Sequence, residues 1–158
     1  MKFKNILISA SAILALTACD KMKNLSFNSL KSTSLTRTSG DGKTPKTAIV
    51  VNPTLLYKTA NTTPLTVEDN IRYFYAKLNS LNTYSFEAVG TGYPNMYLYK
   101  LSQCKTDNSC YGEPLASTTT KTRDQFTFSP TSSDEYIVKI ILYSGSKWTG
   151  GLKHKIIK

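Results

Sequence analysis

The stretch Asp134-Glu-Tyr-Ile-Val-Lys-Ile-Ile-Leu-Tyr143 decides the fold, because its side chains alternate as those of a β-strand do. One face carries four residues that we expect to point into a core, namely Tyr136, Val138, Ile140 and Leu142. The opposite face carries Ile137, Lys139, Ile141 and Tyr143. This alternation predicts a strand in a sheet that packs on one side against a second layer.

Seven further stretches carry the β-branched and aromatic residues typical of strands, between residues that favour turns. Together with 135–142, we predict strands at 48–52, 70–78, 83–89, 96–101, 115–119, 124–128 and 152–157. Gly150-Gly151 is predicted as a tight turn before the last of them. Eight short strands without a long helical period indicate a single all-β domain over residues 47–158, either a sandwich or a barrel.

Two of these strands allow a closer prediction of their faces. Phe126 and Phe128 share one face of their strand, with the intervening polar residues outward. The strand at 96–101 is apolar on both sides, with Met96 and Leu98 opposed to Tyr97 and Tyr99. We therefore expect it to be central in its sheet or partly covered by a loop.

The N-terminal segment has the anatomy of a signal peptide. Lys2 and Lys4 precede an apolar run that is too short to cross a bilayer permanently. Leu16-Thr17-Ala18-Cys19 follows and resembles a bacterial lipobox, which implies cleavage after residue 18 and acylation of Cys19. The alternative is an ordinary secretory signal or a retained anchor. Two or more acyl chains hold a protein on a membrane almost permanently.

The location that this implies is the cell envelope. Asp20 after the anchor cysteine resembles the inner-membrane retention signal of enteric bacteria, but Lys21 weakens it. We favour the outer membrane, and a Gram-positive surface stays open. Loss of Lys2 and Lys4 would lower the formal charge from +10 to +8, which suits anionic partners on the envelope. The lysines form no block, and an envelope address argues against nucleic acid.

Residues 19–46 differ in composition from the rest of the chain. They are rich in Ser, Thr, Lys and Asn, and Gly40-Asp41-Gly42 and Pro45 close the stretch. With so few large apolar residues, the segment is predicted to be a flexible tether after the lipidated cysteine.

Four strand sequences taken in order resemble one known family. They are Ile71-Arg-Tyr-Phe-Tyr-Ala-Lys-Leu78, Thr83-Tyr-Ser-Phe-Glu-Ala-Val-Gly90, Asn95-Met-Tyr-Leu-Tyr99 and Asp134-Glu-Tyr-Ile-Val-Lys-Ile140. This series is similar to the bacterial pre-peptidase C-terminal domain. The resemblance implies a small jelly-roll-like β-sandwich of about eight strands that binds rather than catalyses. Members of that family usually accompany secreted peptidases, and some bind matrix proteins or calcium.

Two cysteines remain in the predicted domain. Cys104 and Cys110 follow an export signal, so we predict a disulfide between them. A zinc site would need ligands other than the distant His154, and a redox pair more often has two intervening residues. The disulfide would close a short local loop.

The sequence offers little for catalysis or for a cofactor. The single histidine, His154, lies between two lysines and is expected at the surface, and no nucleophile and base have a recognisable spacing. Glu68 and Asp69 could ligate a hard cation, but a calcium site needs six to eight oxygens. We therefore predict neither an enzyme nor a bound metal or cofactor.

Aromatic residues in predicted loops are the candidates for binding a ligand. They are Tyr93, Tyr111 and Trp148, with Lys147 as a cationic neighbour of the tryptophan. Exposed aromatic side chains anchor proteins and sugars at little entropic cost. The alternative for Trp148 is that it folds back and caps the sandwich.

Two functions remain open from the sequence. The first is a lipid-anchored binding or adhesion module for a protein or glycan on the envelope. The second is a periplasmic accessory protein, such as a chaperone or inhibitor, of a secreted hydrolase.

Overall fold

The computed structural model describes residues 40–105, 109–118, 124–143 and 147–158. The predicted signal peptide, Cys19 and residues 20–39 of the predicted tether lie outside the described residues. Within the described ranges no helix is long and apolar enough to span a bilayer. The chain there forms nine strands, namely β1 Ile49–Val50, β2 Lys58–Asn61, β3 Ile71–Leu78, β4 Tyr84–Thr91, β5 Asn95–Lys100, β6 Ala116–Thr118, β7 Gln125–Phe128, β8 Asp134–Ile141 and β9 Thr149–Ile156.

The strands form two sheets. The first has the order β1-β3-β8-β5-β6 and the second the order β2-β9-β4-β7. The chain crosses repeatedly between the sheets, so that β3 and β8, for example, pair antiparallel although they are far apart in sequence. The predicted jelly-roll-like β-sandwich is therefore confirmed. We call the end of the sandwich where β3 begins and β8 ends the upper end, and the opposite end the lower end.

The core between the two sheets contains the predicted faces. Tyr136, Val138, Ile140 and Leu142 are all buried in it, and Phe126 and Phe128 pack there from β7. The β8 residues face the second sheet, whose core side chains come mainly from β4 and β9 and include Phe86 and Leu152. Ring contacts such as Phe86 with Phe126, at 5.6 Å between centroids, tie neighbouring strands of the second sheet together.

The outer face of the first sheet carries a second, smaller apolar cluster. β5 lies between β8 and β6, and its Tyr99 packs in this cluster with Tyr75, Ile137 and Cys104. Cys104 is joined to Cys110, so the predicted disulfide is confirmed. The cystine holds a loop over the lower part of this face, which explains why β5 is apolar on both sides.

Residues 40–46, predicted as the end of the tether, belong to the folded domain. Gly42 donates its N–H to the Thr47 carbonyl, and its own carbonyl accepts the N–H of Tyr73 on β3. Gly42 adopts a positive φ of 75°, and a Cβ there would meet the Tyr73 carbonyl and Ile49. The domain thus begins before residue 47 because this glycine turn docks on the edge of the sheet.

The last strand begins earlier than the sequence suggested. Gly150 and Gly151 do not form the predicted turn but lie inside β9. A Cβ on Gly150 would lie 1.8 Å from the Val89 carbonyl oxygen, and one on Gly151 would lie 2.4 Å from that of Ala60. The two glycines therefore allow the backbone of β9 to lie close to the backbones of both neighbouring strands, β4 and β2.

Strand β2 is the one strand of the described chain that the sequence analysis did not predict. Its sequence, Lys-Thr-Ala-Asn, has only one partly buried residue and pairs along the edge of the second sheet with β9. An edge strand that contributes a single small side chain to the core leaves no alternation of large apolar residues in the sequence.

A buried arginine holds the loop before β3 at the upper end. Arg72 is buried on the inward face of β3, and its Nη2 donates to Asp69 Oδ2 at 2.8 Å and to Thr63 Oγ1 at 2.7 Å. The hydrogen bond from Arg72 is the main reason why the pKa of Asp69 falls from 3.8 to about 2, with a further contribution from Lys43. Loop residues 63–69 are thus tied to the core through one guanidinium.

We predict that Asp69→Asn destabilises the domain by about 1–2 kcal/mol, because it removes the charge partner of the buried Arg72, while solvent around the 39% exposed Asp69 side chain screens part of that interaction. Melting temperatures should fall by about 5 °C, whereas the exposed neighbouring carboxylate offers a matched control, Glu68→Gln, with little effect.

The ion pair between Asp69 and Arg72 should also make part of the stability of the domain sensitive to acid. Because the folded pKa of Asp69 lies below the unfolded value, its contribution is complete above pH 3.8 and is lost as the pH falls toward 2. Thermal melts of the wild type and Asp69→Asn should converge over that range. Equal melting temperatures of both variants near neutral pH would show that the pair contributes nothing.

Candidate binding surfaces

Trp148 is not exposed, and the prediction that it anchors a ligand is wrong. Its side chain is fully buried in the core between the sheets. Its backbone forms an isolated bridge with Leu65, with N–H to carbonyl distances of 2.9 and 3.0 Å in the two directions. The alternative prediction, that Trp148 caps the sandwich, describes its position.

The other three candidate residues do not form one surface. Tyr93 and Lys147 are exposed at the upper end, where Gly92, with a φ of 103°, lies against the Lys147 carbonyl. Tyr111 is exposed after the cystine, where its ring lies 4.6 Å from Lys105 Nζ and its hydroxyl accepts a hydrogen bond from Ser109. Tyr93 and Lys147 thus share one end, and Tyr111 belongs to the cystine loop.

His154 is also placed differently from the expectation. It faces the core from β9, opposite Phe86 on β4, and is almost fully buried rather than at the surface. Burial, with a smaller effect of Lys58, lowers its pKa, so the imidazole is neutral at pH 7. Its Nδ1 has no hydrogen-bond partner among the described residues.

The described residues contain no group of three or more side chains of the kinds that hold metal ions. Asp69, which could have served calcium with Glu68, instead pairs with Arg72 and Lys43. A carboxylate engaged by two cations is a poor ligand for a third.

A cluster of tyrosines around a lysine lies on the outer face of the first sheet. Strand register places Tyr73 on β3, Lys139 on β8 and Tyr97 on β5 side by side in one row. The next row toward the lower end continues the cluster with Tyr99 beside Ile137. We call Tyr73, Tyr97, Tyr99, Lys139 and Tyr143 the tyrosine face.

The accessible part of this face lies toward the upper end. Tyr97 and Lys139 are partly exposed, and Tyr143, just beyond β8, is 66% exposed. A side-chain hydrogen bond with Tyr97 is the main cause that raises the pKa of Tyr143. Asn95 Nδ2 lies 3.4 Å from the Tyr97 hydroxyl. Amide and hydroxyl groups therefore border the lysine.

Burial shifts the pKa values of several groups on the face. It raises the pKa of Tyr73 to about 12 and also raises the pKa of Tyr99, with a smaller effect from the neighbouring tyrosine in each case. Burial is likewise the cause that lowers the pKa of Lys139. The three tyrosines with raised pKa values are thus neutral at pH 7, and the ammonium group lacks part of its hydration.

The charge of Lys139 is not balanced by a carboxylate. Its Nζ lies 5.8 Å from the centre of the Tyr73 ring, which is a cation–π contact. In the ranges that the structure describes, no Asp or Glu forms an ion pair with it. A cation in such surroundings is stabilised by an anionic group that approaches from solvent.

The sequence contained part of this surface. The alternation of β8 placed Lys139 and Tyr143 on one face, and that of β5 placed Tyr97 and Tyr99 on one face. What was missing was the pairing of β5 with β8, which brings the two sets together.

A groove lies at the lower end of the described domain. It has a volume of about 590 Å³ and is lined by the last residues of β3, the first residues of β8 and Tyr84. Its charged residues already face opposite charges, as in Lys77 with Glu135 at 3.9 Å and Lys100 with Asp134 at 3.5 Å. It therefore lacks the unbalanced charge of the tyrosine face.

No family model and no curated protein sequence matches the chain significantly. Among solved structures, the fold is similar to a periplasmic inhibitor of g-type lysozyme from Aeromonas hydrophila, PliG, with a TM-score of 0.49 and 9% identity. That match covers 68% of this chain and 96% of the inhibitor.

The fold is also similar to the pre-peptidase C-terminal domain of collagenase from Bacillus anthracis, with a TM-score of 0.47 and 11% identity over 69% of this chain and 93% of that domain. At these scores and identities, both likenesses concern the arrangement of strands, and we infer no activity, partner or location from them.

Proposed function

We propose that this protein is a non-catalytic, lipid-anchored binding module of the bacterial cell envelope, which recognises an anionic ligand through the tyrosine face. The observation that carries the proposal is Lys139, held in one row between Tyr73 and Tyr97 without a carboxylate partner among the described residues. A partly desolvated ammonium group gains most from a ligand that supplies the missing negative charge.

The neighbouring side chains suit recognition of a carboxylate or a similar anion. The hydroxyl groups of Tyr97 and Tyr143, in the accessible part of the face, can donate hydrogen bonds to its oxygens, and Asn95 can add an amide donor. The rings offer rigid apolar area for the part of the ligand that carries the charge. This combination favours a surface-exposed acidic group of a protein or glycan over a free ion.

Anchoring is the second component of the proposal and is supported by the sequence. Acylation of Cys19 would tether the domain through residues 20–39 to the outer membrane, which we favour over the inner membrane. With about 20 residues, a flexible tether has a reach of roughly 25 Å, enough for the tyrosine face to search the space next to the bilayer.

The alternative function is that of an accessory protein, such as a chaperone or inhibitor, of a secreted hydrolase. It would use the same tyrosine face and would differ only in the ligand that this face binds. An acidic patch of such an enzyme could occupy the same face. The identity of the captured ligand decides between the two functions, so the test below is designed to recover it.

We predict that Lys139→Gln weakens ligand binding at least about tenfold without unfolding the domain, since glutamine keeps much of the side chain but removes the charge. Residues 20–158 with an affinity tag would be incubated with solubilised envelope material, and the retained proteins and glycans identified by mass spectrometry. The recovered ligand would then be titrated into wild type and variant.

A charge-matched control is Lys46→Gln, because Lys46 is exposed and lies outside the tyrosine face. The control should retain the same molecules as the wild type. If Lys139→Gln retained them equally well while Lys147→Gln did not, the ligand would bind at the upper end with Tyr93, and the tyrosine face would be excluded.

The anchor is tested separately by metabolic labelling with a palmitate analogue. We expect the wild type to carry the label and Cys19→Ala to lose it entirely, because no other residue can replace the thiol of a lipobox. Absence of label in the wild type, or equal label in both, would contradict lipid anchoring but leave the tyrosine face unaffected.

A further inference from the structure

Large apolar side chains are exposed at the lower end of the sandwich. Leu55 and Leu56, in the segment before β2, are 76% and 77% exposed, and Leu81, between β3 and β4, is 86% exposed. Ile157, directly after β9, is also exposed. Single exposed leucines are ordinary, but two consecutive ones with others near them call for a reason.

Backbone hydrogen bonds hold the segments that carry these residues against the end of β9. The N–H of Ile156 donates to the Thr54 carbonyl at 2.7 Å, on one side of the end of β9. On the other side, Thr83 donates to the Lys158 carbonyl and accepts from the N–H of Ile157, both at 2.7 Å. Segments 54–56 and 81–83 thus flank the end of β9 at the lower end, and we call the exposed Leu55, Leu56, Leu81 and Ile157 of this region the apolar tip.

Lysines border the apolar tip on the side of the second sheet. Lys153 and Lys155 both lie over the ring of Tyr57, with Nζ 4.2 and 4.1 Å from its centre. Lys58 and Lys158 are exposed nearby. Among the described residues of this border, the negative charge comes from the carboxylate of Glu87, which forms an ion pair with Lys153 at 3.1 Å. The border therefore carries an excess of positive charge.

We propose that the apolar tip docks on an anionic lipid surface, as a membrane contact of the folded domain in addition to any N-terminal lipid. Leucine side chains can enter the region between headgroups and acyl chains while lysines remain at the level of the anionic headgroups. Tyr57, with an apolar ring and a polar hydroxyl, is of the type enriched at that boundary. Charge complementarity favours lipid over a second copy of this chain, whose tip is equally basic.

The position of the tip is compatible with ligand binding elsewhere on the domain. Lys139 lies toward the upper end of the first sheet, five positions along β8 from Asp134 at its lower end. A domain that rests on its lower end would therefore leave the exposed part of the tyrosine face clear of the bilayer. The inference does not depend on what that face binds.

Binding to vesicles tests the inference with residues 20–158, which lack Cys19 and contain every described strand. Sedimentation would use vesicles of phosphatidylcholine alone and of phosphatidylcholine with phosphatidylglycerol. We expect binding to the anionic vesicles only. The double variant Leu55→Ser with Leu56→Ser should weaken it about tenfold or more, and Lys155→Gln about fivefold.

The matched control is Val67→Ser, which removes an exposed apolar side chain at the upper end and should bind as the wild type does. Binding that is unaffected by the double serine variant would overturn the inference, as would absence of binding to anionic vesicles. A third outcome would assign the tip to an interface with a second copy of this chain. In that case the wild type would not bind vesicles but would dimerise as its concentration rises, and the double variant would not dimerise.

Discussion

The closure of the upper end by Trp148 is the constraint on which the rest of this sandwich depends. Trp148 fills the space between the sheets and is fixed through backbone hydrogen bonds to Leu65 in both directions. The loop that carries Leu65 is in turn held by Arg72, which is buried and bonded to Asp69 and Thr63. Removing a large aromatic side chain from such a site typically costs about 3–5 kcal/mol, a large part of a small domain's stability.

The same closure sets where β9 begins and hence how the second sheet is assembled. Because the chain leaves Trp148 directly into β9, Gly150 and Gly151 fall where the backbones of β4 and β2 leave no room for a Cβ. From there Leu152 and His154 enter the core. The first sheet needs β9 and β4 as its cover, since the inward face of β8 would otherwise remain in water.

Local alternation made much of this fold predictable, because a two-layer sandwich buries one face of each strand. It gave the inward faces of β7 and β8 and the two-sided character of β5. It failed where tertiary contacts override composition. Gly150-Gly151 has the composition of a turn, but the two glycines lie in β9, where they let the neighbouring backbones come close. His154 lies between two lysines in the sequence, yet it faces the core. The tyrosine face was not predicted because strand order within a sheet leaves no periodic signal in one sequence.

The burial of Trp148 can be measured directly, because it is the only tryptophan of the chain. Its fluorescence in the native protein should have a blue-shifted maximum and be weakly quenched by acrylamide. Both properties should change to those of a solvated indole in a single transition in guanidinium, together with the loss of the β-sheet circular dichroism signal. Native emission that is already red-shifted and as strongly quenched as in the unfolded chain would contradict the closed upper end.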